Sequence, residues 1–83
     1  MAQLAKEASF LEFIAKELGL ELFEINSETL FRNLNSWSSL NALYLITRIS
    51  EEEGVFISSA ELAKCLSFKD IHGLLLSKLQ PNS

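Results

Sequence analysis

Ser36, Ser38 and Ser39 share one four-residue window of the chain, and a serine hydroxyl there can act as a nucleophile or can cap a helix. A serine nucleophile needs an adjacent general base and a group that receives the developing negative charge. Neither is evident beside Ser39. His72, the single histidine, follows Ile71 on a predicted helix and has no second base or carboxylate at an i, i+4 step, so its ordinary role is a surface or partly packed one. Cys65, the single cysteine, lies between Lys64 and Leu66, where a small buried hydrophobe is expected and no paired imidazole is identified. One cysteine forms no internal disulfide and no multi-thiolate zinc site, which predicts a reducing, cytoplasmic setting. Glu51, Glu52 and Glu53 form the densest charge run, but consecutive helical residues diverge around the axis and cannot all face one metal ion. They read as a solvated helix end. Their position near a helix C-terminus, where the macrodipole disfavours acids, leaves partner contact open as a second role. With glycine-rich phosphate loops and C-x-x-C spacings also absent, the chain is expected not to be an enzyme.

The elements that must position these residues follow from the hydrophobic pattern. Eighty-three residues make one domain, 1–83, because neither half alone would bury a core. Three glycines, one proline and apolar recurrence at three and four residues predict an all-α chain. Leu4, Glu7, Ala8, Leu11, Ile14, Ala15 and Leu18 place the first helix over roughly 3–18, with Gly19 as its stop. Residues 20–37 lack a sustained helical period and read as a long loop. Leu22, Ile25, Leu30, Phe31 and Leu34 pin it to the core, with room for a turn near 28–32. The second helix starts at Ser38 or Ser39, capped by a serine hydroxyl, and runs to about Glu53. Leu40, Leu43, Ile46 and Ile49, with Ala42 and Leu45, give it the broadest apolar face and predict that it is the best buried. Ser58 with Glu61 opens a two-turn helix, SAELAKCL. Ser67 with Asp70 opens a last one carrying Ile71, Leu74, Leu75 and Leu79 and ending before Pro81. The result is a four-helix bundle of three longer helices and one short one.

Charge narrows the partners. A net charge of −4 and seven scattered basic residues oppose nucleic-acid binding, and the central helix carries only Arg48 as a base where a helix-turn-helix would need a basic recognition helix. No uncharged apolar stretch approaches the ~18 residues of a membrane span, and the start MAQLAKEASF does not read as an export signal.

The segment Leu34–Ile57, LNSWSSLNALYLITRISEEEGVFI, resembles the centre of acyl and peptidyl carrier proteins, where a D-S-L triplet opens the second helix and an acidic stretch before G-V closes it. Here the triplet reads Ser38-Ser39-Leu40, and Trp37 matches the subgroup with W-D-S-L. The run Cys65 to Ile71, CLSFKDI, is similar to that subgroup's C-x-T-V-x-D-L opening of the last helix, and the upstream F-R-N-L approach is similar too. The likeness therefore covers nearly the whole chain. It implies a small four-helix carrier domain in which Ser39 bears a covalent 4'-phosphopantetheine whose thiol holds an acyl or aminoacyl group as a thioester. The implied partners are a phosphopantetheinyl transferase and the acyl-loading and acyl-using enzymes (ligase, synthase or transferase) of fatty-acid or polyketide biosynthesis. The carrier itself is expected to be a monomer.

Two departures from that pattern have consequences. Ser38 replaces the usual acid, keeping the cap but removing a carboxylate that a transferase could pair with, so a particular transferase is expected. Glu53 stands where an aromatic usually precedes the glycine, and Phe56 is the candidate to replace that core contact. Around Ser39, the residues expected to meet partners or the arm are Trp37, Ser38, Leu40, Asn41, Tyr44, Arg48, Glu51 and Glu52. Core packing is the competing role for Leu40, Trp37 and Tyr44. Because Asn41, Tyr44, Thr47 and Arg48 replace a dense carboxylate row, a dedicated pathway is expected instead of the general fatty-acid synthase. An unmodified carrier-like adaptor, a helical protein-interaction or DNA-binding module and a small hydrolase using Ser39 are the alternatives.

Overall fold

The computed structural model describes residues 3–79, and among them the chain is all-α, with helices α1 (Glu7–Leu18), α2 (Ser39–Glu53), α3 (Ser59–Ala63) and α4 (Phe68–Leu79). Pro81, expected to end the last helix, lies outside the described residues. No helix among them is long and apolar enough to cross a membrane.

The first helix is not continuous over 3–18. A 3-10 turn, Gln3–Ala5, is separated from α1 by Lys6 in extended conformation (φ −81°, ψ 133°). The cause is visible at Leu4. Its N–H donates to the Glu53 carboxylate at 2.9 Å, and its carbonyl lies 2.9 Å from His72 Nε2. The carbonyl, which a continuous helix would offer to Ala8 N–H, is thus committed to α4, while the N–H, without a helical acceptor at a helix start, is satisfied by α2. The break also resets the buried face: Phe10 and Ile14 are fully buried and Ala15 nearly so, while Glu7 and Ala8 are exposed. Phe10, absent from the expected stripe, is its centre. Gly19 ends α1 at φ 71°, a left-handed conformation that a residue without Cβ adopts easily, and the following N–H groups close back on Ala15 and Lys16.

The long loop is ordered by short-range turns and by α4. Asn26 accepts from Glu28 N–H through its side chain, and 3-10 turns form at Leu22–Glu24 and Phe31–Asn33. Its carbonyls at Ser27 and Thr29 accept from Lys69 and Phe68 N–H at 2.7 and 3.2 Å, and Leu30 bridges Ser67. The first-turn amides of α4, which lack helical partners, are satisfied by the loop in this way. Ile25 and Phe31 are buried and Leu34 partly so, as expected of pins, but Leu22 and Leu30 are about half exposed and do not anchor it.

Asp70 adds the remaining bonds of this junction, accepting from Leu66 and Ser67 N–H at 2.9 and 3.1 Å. Those two amides hold its carboxyl below its usual range. A depressed folded-state value means that the contribution is complete above the ordinary carboxylate range and is lost as pH falls through the folded value. Between about pH 5 and about pH 3, urea unfolding should therefore show a larger loss of stability for the parent chain than for Asp70→Asn, which starts weaker at neutral pH. Equal losses would contradict this role for Asp70.

The second helix is not the best buried of the set. Leu45, Ile46 and Ile49 in its second half are buried, whereas Leu40 (76% exposed), Leu43 and Tyr44 are open to solvent. The neighbour that should cover the first half is too short: α3 stops at Ala63, short of the two turns expected of SAELAKCL. Its end has a specific cause, because Arg32 reaches across to take the carbonyls of Leu62 and Cys65. The start of α3 follows the sequence, with the Ser58 hydroxyl accepting from Glu61 N–H and the Glu61 carboxylate from Ser58 N–H. Phe10, Phe31 and Phe68 are the largest fully buried side chains, and Phe31 joins the loop to the bundle.

Candidate functional site

The three clustered serines end up in different environments, and the difference starts with the backbone. Ser38 is extended (φ −155°, ψ 167°) and its hydroxyl accepts from Asn41 N–H at 3.1 Å, which makes it the N-cap and Ser39 the first helical residue. Asn41 also donates from its side chain to the Ser36 carbonyl, folding the loop against the helix start. The Ser36 hydroxyl is buried there without a hydrogen-bond partner. Ser39 is exposed, and its hydroxyl makes no hydrogen bond to any described residue. Of the three, Ser36 is shut in, Ser38 is occupied as a cap, and Ser39 is accessible and unengaged.

Ser39 opens onto a groove of about 600 Å³ between α2 and α3. Ala42, Leu43 and Ile46 line it from α2, and Ser59, Leu62 and Ala63 from α3; Arg32, Trp37 and Ser38 complete it from the loop side. Trp37 is half-buried, its ring 4.6 Å from that of Phe31 and tilted by 54°. Its packing is thus partly core and partly groove. The short α3 leaves the groove open, and the first-turn amides of α2 give its Ser39 end a partial positive charge.

Leu40 and Tyr44, one turn apart on α2, are exposed beside Ser39, so the packing role weighed for them gives way to a surface one. Leu43 and Thr47 extend the exposed face. Asn41 is half-buried in the loop contact already described. Arg48 is not free on that face. Its guanidinium donates to Glu17 at 3.2 Å, Glu51 at 2.7 Å and Glu52 at 3.2 Å, tying α2 to α1. The bonds to Glu51 and then Glu17 raise its pKa further above an already basic value. One arginine against three carboxylates leaves this corner acidic, with Glu51 and Glu52 exposed. The Glu53 carboxylate accepts from Leu4 N–H, and Phe56 does not supply the core contact expected of it, being 66% exposed.

The other reactive groups lie elsewhere. Cys65 is buried and free, and its thiol is pushed up by burial first and by Asp70 second, with Arg32 opposing. His72 stacks on Phe10 at 4.7 Å and bonds to Leu4. Neither borders the groove. Among the described residues no group of three or more His, Cys, Asp or Glu could hold a metal ion. Sequence reasoning missed Arg32, Ser59, Leu62 and Ala63 as groove residues and assigned Ala42, Leu43 and Ile46 to the core face alone. The signal for Arg32 was a charge placed directly after the buried Phe31; the others become visible only once α3 is placed against α2.

No known family model matches the chain, and no curated protein matches it at a significant level.

Proposed function

We propose that this protein is an acyl carrier: Ser39 receives a 4'-phosphopantetheine arm, whose thiol carries an acyl or aminoacyl group as a thioester between the enzymes of a dedicated pathway. The observation that carries the reading is the Ser39 hydroxyl, exposed and unbonded among the described residues, at the first turn of α2 and at the end of an open groove. In the loading step the hydroxyl oxygen attacks the β-phosphorus of coenzyme A, and the bond to the leaving 3',5'-adenosine diphosphate breaks. The serine proton passes to a base of the transferase. The product is a phosphodiester at a helix start, where first-turn amides favour negative charge. The carrier supplies presentation, not a catalytic base: tethering raises the local concentration of cargo at each enzyme that docks. The exposed Leu40 and Tyr44 beside Ser39 and the acidic corner of Arg48, Glu51 and Glu52 are the surface such enzymes would read.

Incubation with coenzyme A and a promiscuous phosphopantetheinyl transferase tests this directly. Intact mass should rise by one phosphopantetheine group; an unchanged mass would leave the unmodified adaptor as the better account.

Ser38 gives a second expected result. Asp caps a helix as well as Ser does, so Ser38→Asp keeps the start of α2 while restoring a carboxylate beside the reacting oxygen. Loading by a general transferase should become about tenfold faster in kcat/KM, the order expected of one charge-assisted contact. Mass-resolved time courses check it, and an unchanged rate would mean that the missing acid is not what selects the transferase.

A further inference from the structure

Arg32 is held at the groove by contacts that leave its charge uncompensated. Nη1 donates to the carbonyl of Cys65, Nη2 donates to that of Leu62 at 3.1 Å, and the guanidinium carbon lies 4.8 Å from the centroid of the Phe31 ring. These contacts fix the guanidinium plane, but a carbonyl and an aromatic face carry no net charge. Among the described residues Arg48 and Lys78 have carboxylate partners within ion-pair distance, whereas Arg32 has none. A guanidinium has five N–H donors, and two are used.

The location gives that cation a purpose. Arg32 lines the same groove as Ser38, Ser39 and Ser59, whose remaining lining is largely apolar. A held planar guanidinium with Nε–H and further Nη–H donors still free among the described residues, in the same groove as these hydroxyls, is suited to phosphate oxygens, because little side-chain freedom is lost when the anion arrives. Its charge of +1 balances the single negative charge of a phosphodiester.

We propose that Arg32 binds the phosphodiester of the group attached to Ser39 and so directs the arm along the groove between α2 and α3. The inference rests on the carrier reading and adds to it a specific anion contact. Arg32 then has two tasks, closing the C-terminal end of α3 through Leu62 and Cys65 and holding the phosphate with its remaining donors.

The test compares the full chain with Arg32→Gln and Arg32→Lys, each before and after loading from coenzyme A, with loading verified by intact mass. Loading should raise the folding equilibrium constant of the parent chain about fivefold, the order of one partly exposed charged contact, and that of Arg32→Gln by less than twofold. Arg32→Lys, which keeps the charge without the fork, should fall between. The phosphorus-31 resonance of the folded, loaded parent chain should be displaced from that of the same phosphodiester in the urea-unfolded loaded chain and should move back toward it as salt is added, a readout that needs no variant to fold. Loading that occurs normally but stabilises the parent chain and Arg32→Gln equally, with an undisplaced resonance, overturns the inference alone and leaves Arg32 as a cap of α3. Failure to load the parent chain removes the carrier reading and this contact with it.

Discussion

Ser39→Ala should yield a folded protein that takes up no phosphopantetheine under conditions that load the parent chain. The loss should be complete because the oxygen that forms the new bond is gone. The fold should survive because the Ser39 hydroxyl makes no hydrogen bond to any described residue and Ala is the better helix former, by up to about 0.5 kcal/mol. Its neighbours provide the contrast. Ser38→Ala removes the bond to Asn41 N–H and should cost about 1 kcal/mol of stability. Ser36→Ala deletes a buried hydroxyl that has no partner and should be close to neutral. Intact mass and urea unfolding of the three variants check the set. Persistent loading of Ser39→Ala would move the attachment point elsewhere.

Phe31→Ala should be the most damaging single change to the scaffold that presents Ser39. Phe31 is fully buried, stacks on Phe68 with centroids 5.6 Å apart, carries Trp37 at 4.6 Å and lies under the Arg32 guanidinium. Removing a buried Phe ring costs about 3–5 kcal/mol, a large fraction of the stability of a domain this small. The effect should reach the site as well, since the loop from Phe31 to Ser38 would lose its anchor. Urea unfolding followed by circular dichroism should give a much lower midpoint, with Phe31→Leu in between. A change below about 1 kcal/mol would show that the loop is held by its backbone bonds to α4 and not by this ring.

Local signals were legible in the sequence. A serine cap for α2 at Ser38 or Ser39, the caps at Ser58 and Ser67, the stop at Gly19, and the all-α class with one short helix follow from patterns spanning a few residues. What the pattern missed was set by tertiary partners. Leu4 left the first helix because its carbonyl is committed to His72 while Glu53 satisfies its N–H, and this moved the buried face onto Phe10. Leu40 and Leu43 have the period of a core stripe yet face solvent, because hydrophobic spacing does not reveal that the helix opposite will stop early. At the site, spacing located the serine-capped start of α2 but not which hydroxyl is free. That distinction comes from Asn41, whose backbone occupies Ser38 while its side chain holds the Ser36 carbonyl. The groove and Arg32 depend on contacts some thirty residues apart in sequence, which periodicity does not encode.

The most direct measurement is fragment mass spectrometry of the chain after exposure to coenzyme A and transferase, reading the tryptic peptide from Asn33 to Arg48, which contains Ser36, Ser38 and Ser39 together. The account predicts one phosphopantetheine on this peptide, localised to Ser39. An added group on Ser36 or Ser38, or a peptide of unaltered mass, would contradict it.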